Sequence, residues 1–185
     1  MGNRERSPDG RERSLDGQER PPDAGDRATV RSPADTPVLL DVMLGKLATY
    51  LRMCGYDAAY ALDRDEEADD RLLELAREEG RLLVTRDAAL ARRAGDAGVL
   101  LESRDVTDQL AELRSPGFEL GLSEPTRCSA CNSELVEVGD GETTPEYAPD
   151  LDERRVWRCP ACGKHFWKGS HWDRVAETLN GLSSE

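Results

Sequence analysis

Between Pro37 and Arg114 the apolar and polar positions follow two alternating rhythms. Four short apolar runs, Val38–Asp41 (VLLD), Asp57–Ala61 (DAAYA), Arg81–Thr85 (RLLVT) and Val99–Ser103 (VLLES), are too brief for helices and predict strands. The segments between them carry helical spacing. Leu44, Leu47, Leu51 and Cys54 recur at three and four, and Gly55 is placed to end that helix. DDRLLELAREEG (69–80) opens on Asp69 or Asp70 as a cap, buries Leu72, Leu73, Leu75 and Ala76, and stops at Gly80. DAALARRAG (87–95) and DVTDQLAEL (105–113) supply two more helices. Strand and helix thus alternate four times, which predicts an α/β domain over 37–114: a parallel sheet flanked by helices.

The flanks read differently. Residues 1–36 contain RERSPDG, RERSLDG and QERPPDA at a period of seven, with no apolar seam for a coiled coil. Arg, Asp, Glu, Pro and Gly bury too little surface to offset chain entropy, so a disordered low-complexity tail is expected. Residues 115–125 hold Pro116, Gly117, Gly121 and Pro125 and read as a linker. A small domain of different character follows over 126–180.

That domain contains two Cys-x-x-Cys knuckles, Cys128/Cys131 and Cys159/Cys162. Each can hold one side of a tetrahedral zinc, and four thiolates leave no open position, so the zinc is expected to be structural. A segment with so few aliphatic residues cannot fold on its core alone, whereas structural zinc supplies about 10–16 kcal/mol. Cys54, on the apolar face of its helix, is expected to be a buried small hydrophobe.

Charge narrows the possible partners. The formal net charge is -13, unfavourable for general nucleic-acid affinity, which comes from Lys and Arg. The cysteine domain departs from this balance: Arg154, Arg155, Arg158, Lys164, Lys168 and Arg174 stand against Asp173 alone. All three tryptophans lie there, at 157, 167 and 172, with Phe166, His165 and His171. Basic groups interleaved with aromatics suit single-stranded nucleic acid; equally, the tryptophans can pack the small domain onto the large one. No run approaches a membrane span and the N-terminus is polar, so a cytoplasmic protein is expected.

The strand ends carry carboxylates. Asp41 ends the first strand and Asp87 follows the third; Asp69 and Asp70 open the helix before it, and Asp105 follows the fourth. Functional groups of open α/β sheets gather at that edge. Two carboxylates ~4 Å apart repel by about 4 kcal/mol at an effective dielectric of ~20, so convergence calls for a proton or a cation. Hard oxygen ligands suit Mg²⁺ or Mn²⁺, which support phosphodiester hydrolysis. Helix capping is the competing reading for Asp69, Asp87 and Asp105.

LLDVMLGKLATYLRMCGYD and DDRLLELAREEGRLLVTRD resemble the Mut-seven C-terminal RNase family, a PIN-like nuclease branch usually fused to a zinc ribbon, and FWKGSHWDR resembles the end of that ribbon. The resemblance runs from about Val38 to Arg174. It implies a PIN-like fold, with Asp41, Asp69 and Asp87 as catalytic carboxylates holding Mg²⁺ or Mn²⁺. Asp70 can substitute for its neighbour, and Asp105 is a fourth acidic candidate. Lys46 and Arg52 match basic positions of the family's first helix. RNA contact is expected from Lys46, Arg52 and Arg86, and in the ribbon from Arg158, Lys164, Trp167, Lys168 and His171; Thr85 and Arg86 would orient Asp87 or touch phosphate. The expected activity is metal-dependent cleavage of RNA. The alternative is a non-catalytic RNA- or ribosome-binding zinc-ribbon protein whose aspartates are caps.

Overall fold

The computed structural model describes residues 30–139 and 141–182. Its main body is a four-stranded parallel sheet of β1 (Val38–Leu40), β2 (Ala58–Tyr60), β3 (Leu82–Thr85) and β4 (Gly98–Leu100) in the order β2-β1-β3-β4. Helices α1 (Gly45–Met53), α2 (Asp69–Glu78) and α3 (Ala88–Ala94) follow the first three strands in turn, and α4 (Val106–Arg114) follows β4. The strands are almost entirely apolar because helices cover both faces, Thr85 at the end of β3 being the buried polar exception. Val38 and Leu40 point into a core built with α1 and α4, while Leu39 points into a second core with α2 and α3.

The strand order places a switch point at β1, since the chain leaves it first towards β2 and later returns to its other side as β3. The crevice beyond the carboxyl ends of β1 and β3 is therefore where a ligand site is expected. The pairing of Leu40 with Val84 brings Asp41 opposite Thr85, and the Asp41 amide donates to the Val84 carbonyl at 3.1 Å.

The small domain is a three-stranded antiparallel sheet, β5 (Val136–Glu137), β6 (Val156–Arg158) and β7 (His165–Trp167), followed by α5 (Ser170–Gly181). Two expectations need correction. The segment expected as a linker packs: Phe118 is buried against Tyr56, and Leu120 and Leu122 join the same core. The period-two spacing of these residues outweighs the surrounding Gly and Pro. The tail expected to run to residue 36 is structured from Arg31, whose amide donates to Gly117 and whose carbonyl accepts from the Tyr56 hydroxyl at 2.6 Å. Its partners are remote in sequence, which composition cannot reveal; residues 1–29 lie outside the described residues. Helix α5 joins the two domains: Val175 and Leu179, with Leu182 just beyond the helix, enter the α1/α4 core of the large domain.

Candidate active site and cysteine cluster

Asp41 is almost wholly buried at the end of β1. Its Oδ1 accepts from the Val42 amide (2.6 Å), capping the short helical turn over Val42–Leu44, and its Oδ2 accepts from the Thr85 hydroxyl (2.6 Å). The same hydroxyl accepts from the Asp87 amide at 2.9 Å. Thr85, with no exposed surface, therefore couples the carboxylate of Asp41 to the backbone of Asp87.

Asp87 is both the residue after β3 and the cap of α3. Its Oδ1 accepts from the amides of Ala89 (2.6 Å) and Leu90 (2.9 Å), and these bonds hold its pKa below the usual carboxylate range. Both bonds use one oxygen, so capping and cation binding are compatible roles.

The remaining carboxylates stand apart. Asp69 and Asp70 lie in the first turn of α2, but the cap position is Ala68, and neither residue caps the helix. Arg93 of α3 pairs with Asp70 and lies 3.7 Å from Asp69. Asp105 caps α4: the Thr107 amide lowers its pKa, with a contribution from Lys46 nearby. Among the described residues no set of three carboxylates brings its ligand atoms within 4.8 Å of one another. The structure thus joins Asp41 and Asp87 through Thr85 and leaves Asp69, Asp70 and Asp105 at separate helix starts.

Lys46 is exposed in the first turn of α1. Arg86 is half-buried beside Asp87, and its Nε is enclosed with no hydrogen-bond partner among the described residues. Arg52 is the clear correction. It is 3% exposed, and its guanidinium donates to the carbonyls of Ala58 (2.8 Å), Ser129 (3.4 Å) and Ala130 (3.2 Å) and to Asp63 (2.8 Å). A group so enclosed has no surface for phosphate; it ties the first cysteine knuckle to β2.

A second residue of this joint carried no signal in the spacing of the cysteines. Asn132, immediately after the first knuckle, adopts φ 68, accepts from the Ala58 amide (2.9 Å) and donates to Asp57 (2.6 Å). It caps the open edge of β2. The nearest clue in the sequence is its position, since a residue leaving a Cys-x-x-Cys turn in left-handed backbone is favoured as Asn. Tyr60, whose hydroxyl donates to the Val42 carbonyl at 2.6 Å beside Asp41, was likewise unmarked by any motif.

The four cysteines do come together. All four Sγ atoms lie within 4.8 Å of one another, with Cys128 to Cys162 at 3.6 Å and Cys131 to Cys159 at 3.5 Å. A tetrahedron of Zn–S bonds of ≈ 2.3 Å has sulfur edges of about 3.8 Å, so the quartet fits zinc; these separations are far beyond a disulfide. Burial acts to raise the Cys131 pKa, but hydrogen bonding from Ser133 and Cys159 outweighs it and brings the thiol to about 6. This cluster can hold a zinc ion.

The basic residues of the small domain are largely paired with carboxylates. Arg155 meets Glu137 (2.7 Å) and Glu124 (3.0 Å), Lys168 meets Glu124 (2.8 Å), and Arg158 lies 3.7 Å from Glu142. Lys164 and His171 are exposed, and Trp167 is half-buried.

The sequence model of the Mut7-C RNAse domain matches residues 36–179, over three quarters of the chain. The chain belongs to the Mut7-C RNase family. The match spans the parallel sheet, the cysteine cluster and most of α5, so the family unit contains both the carboxylate edge and the ribbon. Comparison with curated proteins and with solved structures returned no match.

Proposed function

We propose that this Mut7-C protein is a metal-dependent ribonuclease that hydrolyses RNA phosphodiesters internally, with a structural zinc in the cysteine cluster. The observation that carries the reading is the Asp41–Thr85–Asp87 linkage at the switch point of the parallel sheet. A buried carboxylate tied through a shared hydroxyl to the backbone of a second aspartate is more than two helix caps require. Asp41, Asp87 and one of Asp69 or Asp70 would hold Mg²⁺ or Mn²⁺, whose hard-oxygen preference they match. When bound, such an ion polarises the phosphodiester and lowers the pKa of water.

The chain's own groups do the rest. Thr85 and the Val42 amide fix both oxygens of Asp41, so its orientation is set before substrate arrives. The α3 amides keep Asp87 ionised. Half-buried Arg86, whose Nε has no partner among the described residues, and exposed Lys46 supply positive charge for phosphate. The reading agrees with a protein of the reducing cytoplasm, where four close thiols remain available to zinc. Among the described residues no helix is long and apolar enough to cross a membrane.

Cleavage of a panel of single-stranded and structured RNAs, with and without Mn²⁺, tests this. Wild type is expected to cut internally only with the ion, and Asp41→Asn to lose at least a hundredfold in rate while still binding RNA. Failure of wild type to cut any RNA, with binding intact, would favour the non-catalytic RNA-binding reading, which the caps at Asp87 and Asp105 would then explain.

A further inference from the structure

A cleft of ≈ 230 Å³ lies where the small domain meets the end of α1. Its aromatic walls are Phe166, Trp167 and Trp172, and its polar groups include Arg127, His165 and His171. Among the described residues that line it there is no Asp or Glu. That absence is informative in a chain with 38 acidic residues. The neighbouring cleft, around Trp157 where the small domain meets the large one, is lined by Asp57, Glu124, Glu134 and Glu137. The first cleft also collects both histidines of the chain.

The aromatic walls are built for a flat occupant. Trp167 lies against Gly169, where a Cβ would come within 2.7 Å of the indole Nε1, so only glycine leaves the ring its place. Tyr147 lies beside Trp167, with ring centroids 6.5 Å apart. Lys168 sits over Trp172 at 5.5 Å from the ring centroid, its ammonium also paired with Glu124. Flat faces, donor groups and a lining without carboxylates together match a base with its phosphate.

We infer that this cleft is a subsite for an unpaired nucleotide of the RNA, separate from the cleavage centre. The inference rests on the reading of RNA as substrate. Met53, which lines the cleft, is the last residue of α1, whereas the carboxylates stand at the start of that helix. Nine helical residues span about 13 Å, so a strand held in the cleft must run along α1 to reach Asp41. The subsite would select single-stranded RNA, because a base inside a duplex cannot present its face to Trp167 and Trp172.

The test uses the full zinc-loaded chain carrying Asp41→Asn, so that binding is read without cleavage. Single-stranded oligouridylate and oligoadenylate should quench tryptophan fluorescence saturably, and a blunt RNA duplex should not. Trp172→Leu keeps apolar bulk but removes a stacking face and should weaken binding roughly tenfold or more. His171→Gln, at an exposed position, should weaken it a few-fold without touching the fold. In the wild-type background the same two changes should raise KM and leave kcat in place. RNA cleavage with wild-type KM in both variants and no quenching by any RNA would overturn the subsite and leave the nuclease reading standing. Saturable quenching, lost in Trp172→Leu, with no cleavage by the wild-type background would sink the nuclease reading and leave the subsite. Quenching by an apolar aromatic peptide but by no RNA would overturn the subsite in favour of a protein partner.

Discussion

The cysteine cluster and the carboxylate edge are two sites read from the same sequence for the same reason, a set of metal-ligand residues, yet the fold treats them differently. The cysteines come from two tight knuckles, each fixing its pair through a three-residue step, and the sheet β5-β6-β7 needs only to bring two units together. Burial keeps Cys128 and Cys159 protonated, so they can share hydrogen bonds with their neighbours without a full set of charges. The carboxylates come from three separate chain segments, and ionised carboxylates repel one another. Close approach would cost several kcal/mol per pair, and each instead finds a local partner: Thr85 for Asp41, helix amides for Asp87, Arg93 for Asp69 and Asp70. Proximity of ligands is thus a strong test for a thiolate site and a weak one for an acidic site. For the latter, the informative feature is what fixes each carboxylate.

The largest effect should follow loss of zinc. Cys159→Ser, or chelation, removes a contribution of about 10–16 kcal/mol from a domain with little apolar core of its own. The small domain is expected to unfold, and elemental analysis of the wild type should return one zinc per chain. The comparison sharpens if the damage spreads. Arg52 and Asn132 join the first knuckle to β2, so amide exchange at Ala58 should quicken on zinc removal. Protein that keeps its far-ultraviolet spectrum and its melting temperature without metal would break the argument.

Arg52→Met tests that joint directly. It leaves the carbonyls of Ala58, Ser129 and Ala130 without their donor in a nearly closed site. Breaking a fully buried ion pair costs about 3–5 kcal/mol, and because Asp63 is 42% exposed a loss nearer 2–3 kcal/mol is expected. Urea denaturation measures it. Had Arg52 been a phosphate contact, stability would hold and RNA affinity would fall.

Thr85→Val is expected to cost about 1–3 kcal/mol, since it strips a donor from buried Asp41 and an acceptor from the Asp87 amide. Its effect on cleavage should be larger than this loss implies, because Asp41 would no longer be held in one orientation. Parallel melting curves and rates separate the two. Equal rates in Thr85→Val and wild type would show that the linkage serves the fold alone.

Much of this was legible in the sequence where the signal is local. The four strand–helix repeats follow from apolar runs and helical spacing, and the parallel sheet follows from their alternation. The knuckles follow from Cys-x-x-Cys spacing. What stayed hidden depends on contacts between remote segments. Arg52 looks like any surface arginine until the knuckle carbonyls, more than seventy residues away, are seen to enclose it. Arg31 pairs with Gly117, and Phe118 is buried, although both lie in stretches whose composition signals disorder or a linker. The basic character of residues 154–174 misleads in the same way, because Glu124, Glu137 and Glu142, which answer Arg155, Lys168 and Arg158, all lie outside that window. Local charge counts overstate a phosphate surface whose partners arrive from elsewhere.

The smallest expected effect on stability is also the sharpest test of the comparison. Asp87→Asn keeps a side-chain oxygen for the Ala89 and Leu90 amides, and Asn caps a helix about as well as Asp, so the melting temperature should scarcely move. If Asp87 is only a cap, nothing else should change. If it also holds a cation, Mn²⁺ should stabilise wild type by mass action, by ~2.7 kcal/mol at a hundredfold excess over its dissociation constant. That stabilisation should shrink in the variant as cleavage disappears. The cysteine quartet offers a built-in control, since Asp87→Asn leaves it intact and any zinc content should stay the same. Melting curves of both proteins, with and without Mn²⁺ and at fixed zinc, make the measurement. Equal Mn²⁺ stabilisation with undiminished cleavage would reduce Asp87 to a helix cap and remove the third strand from the active site.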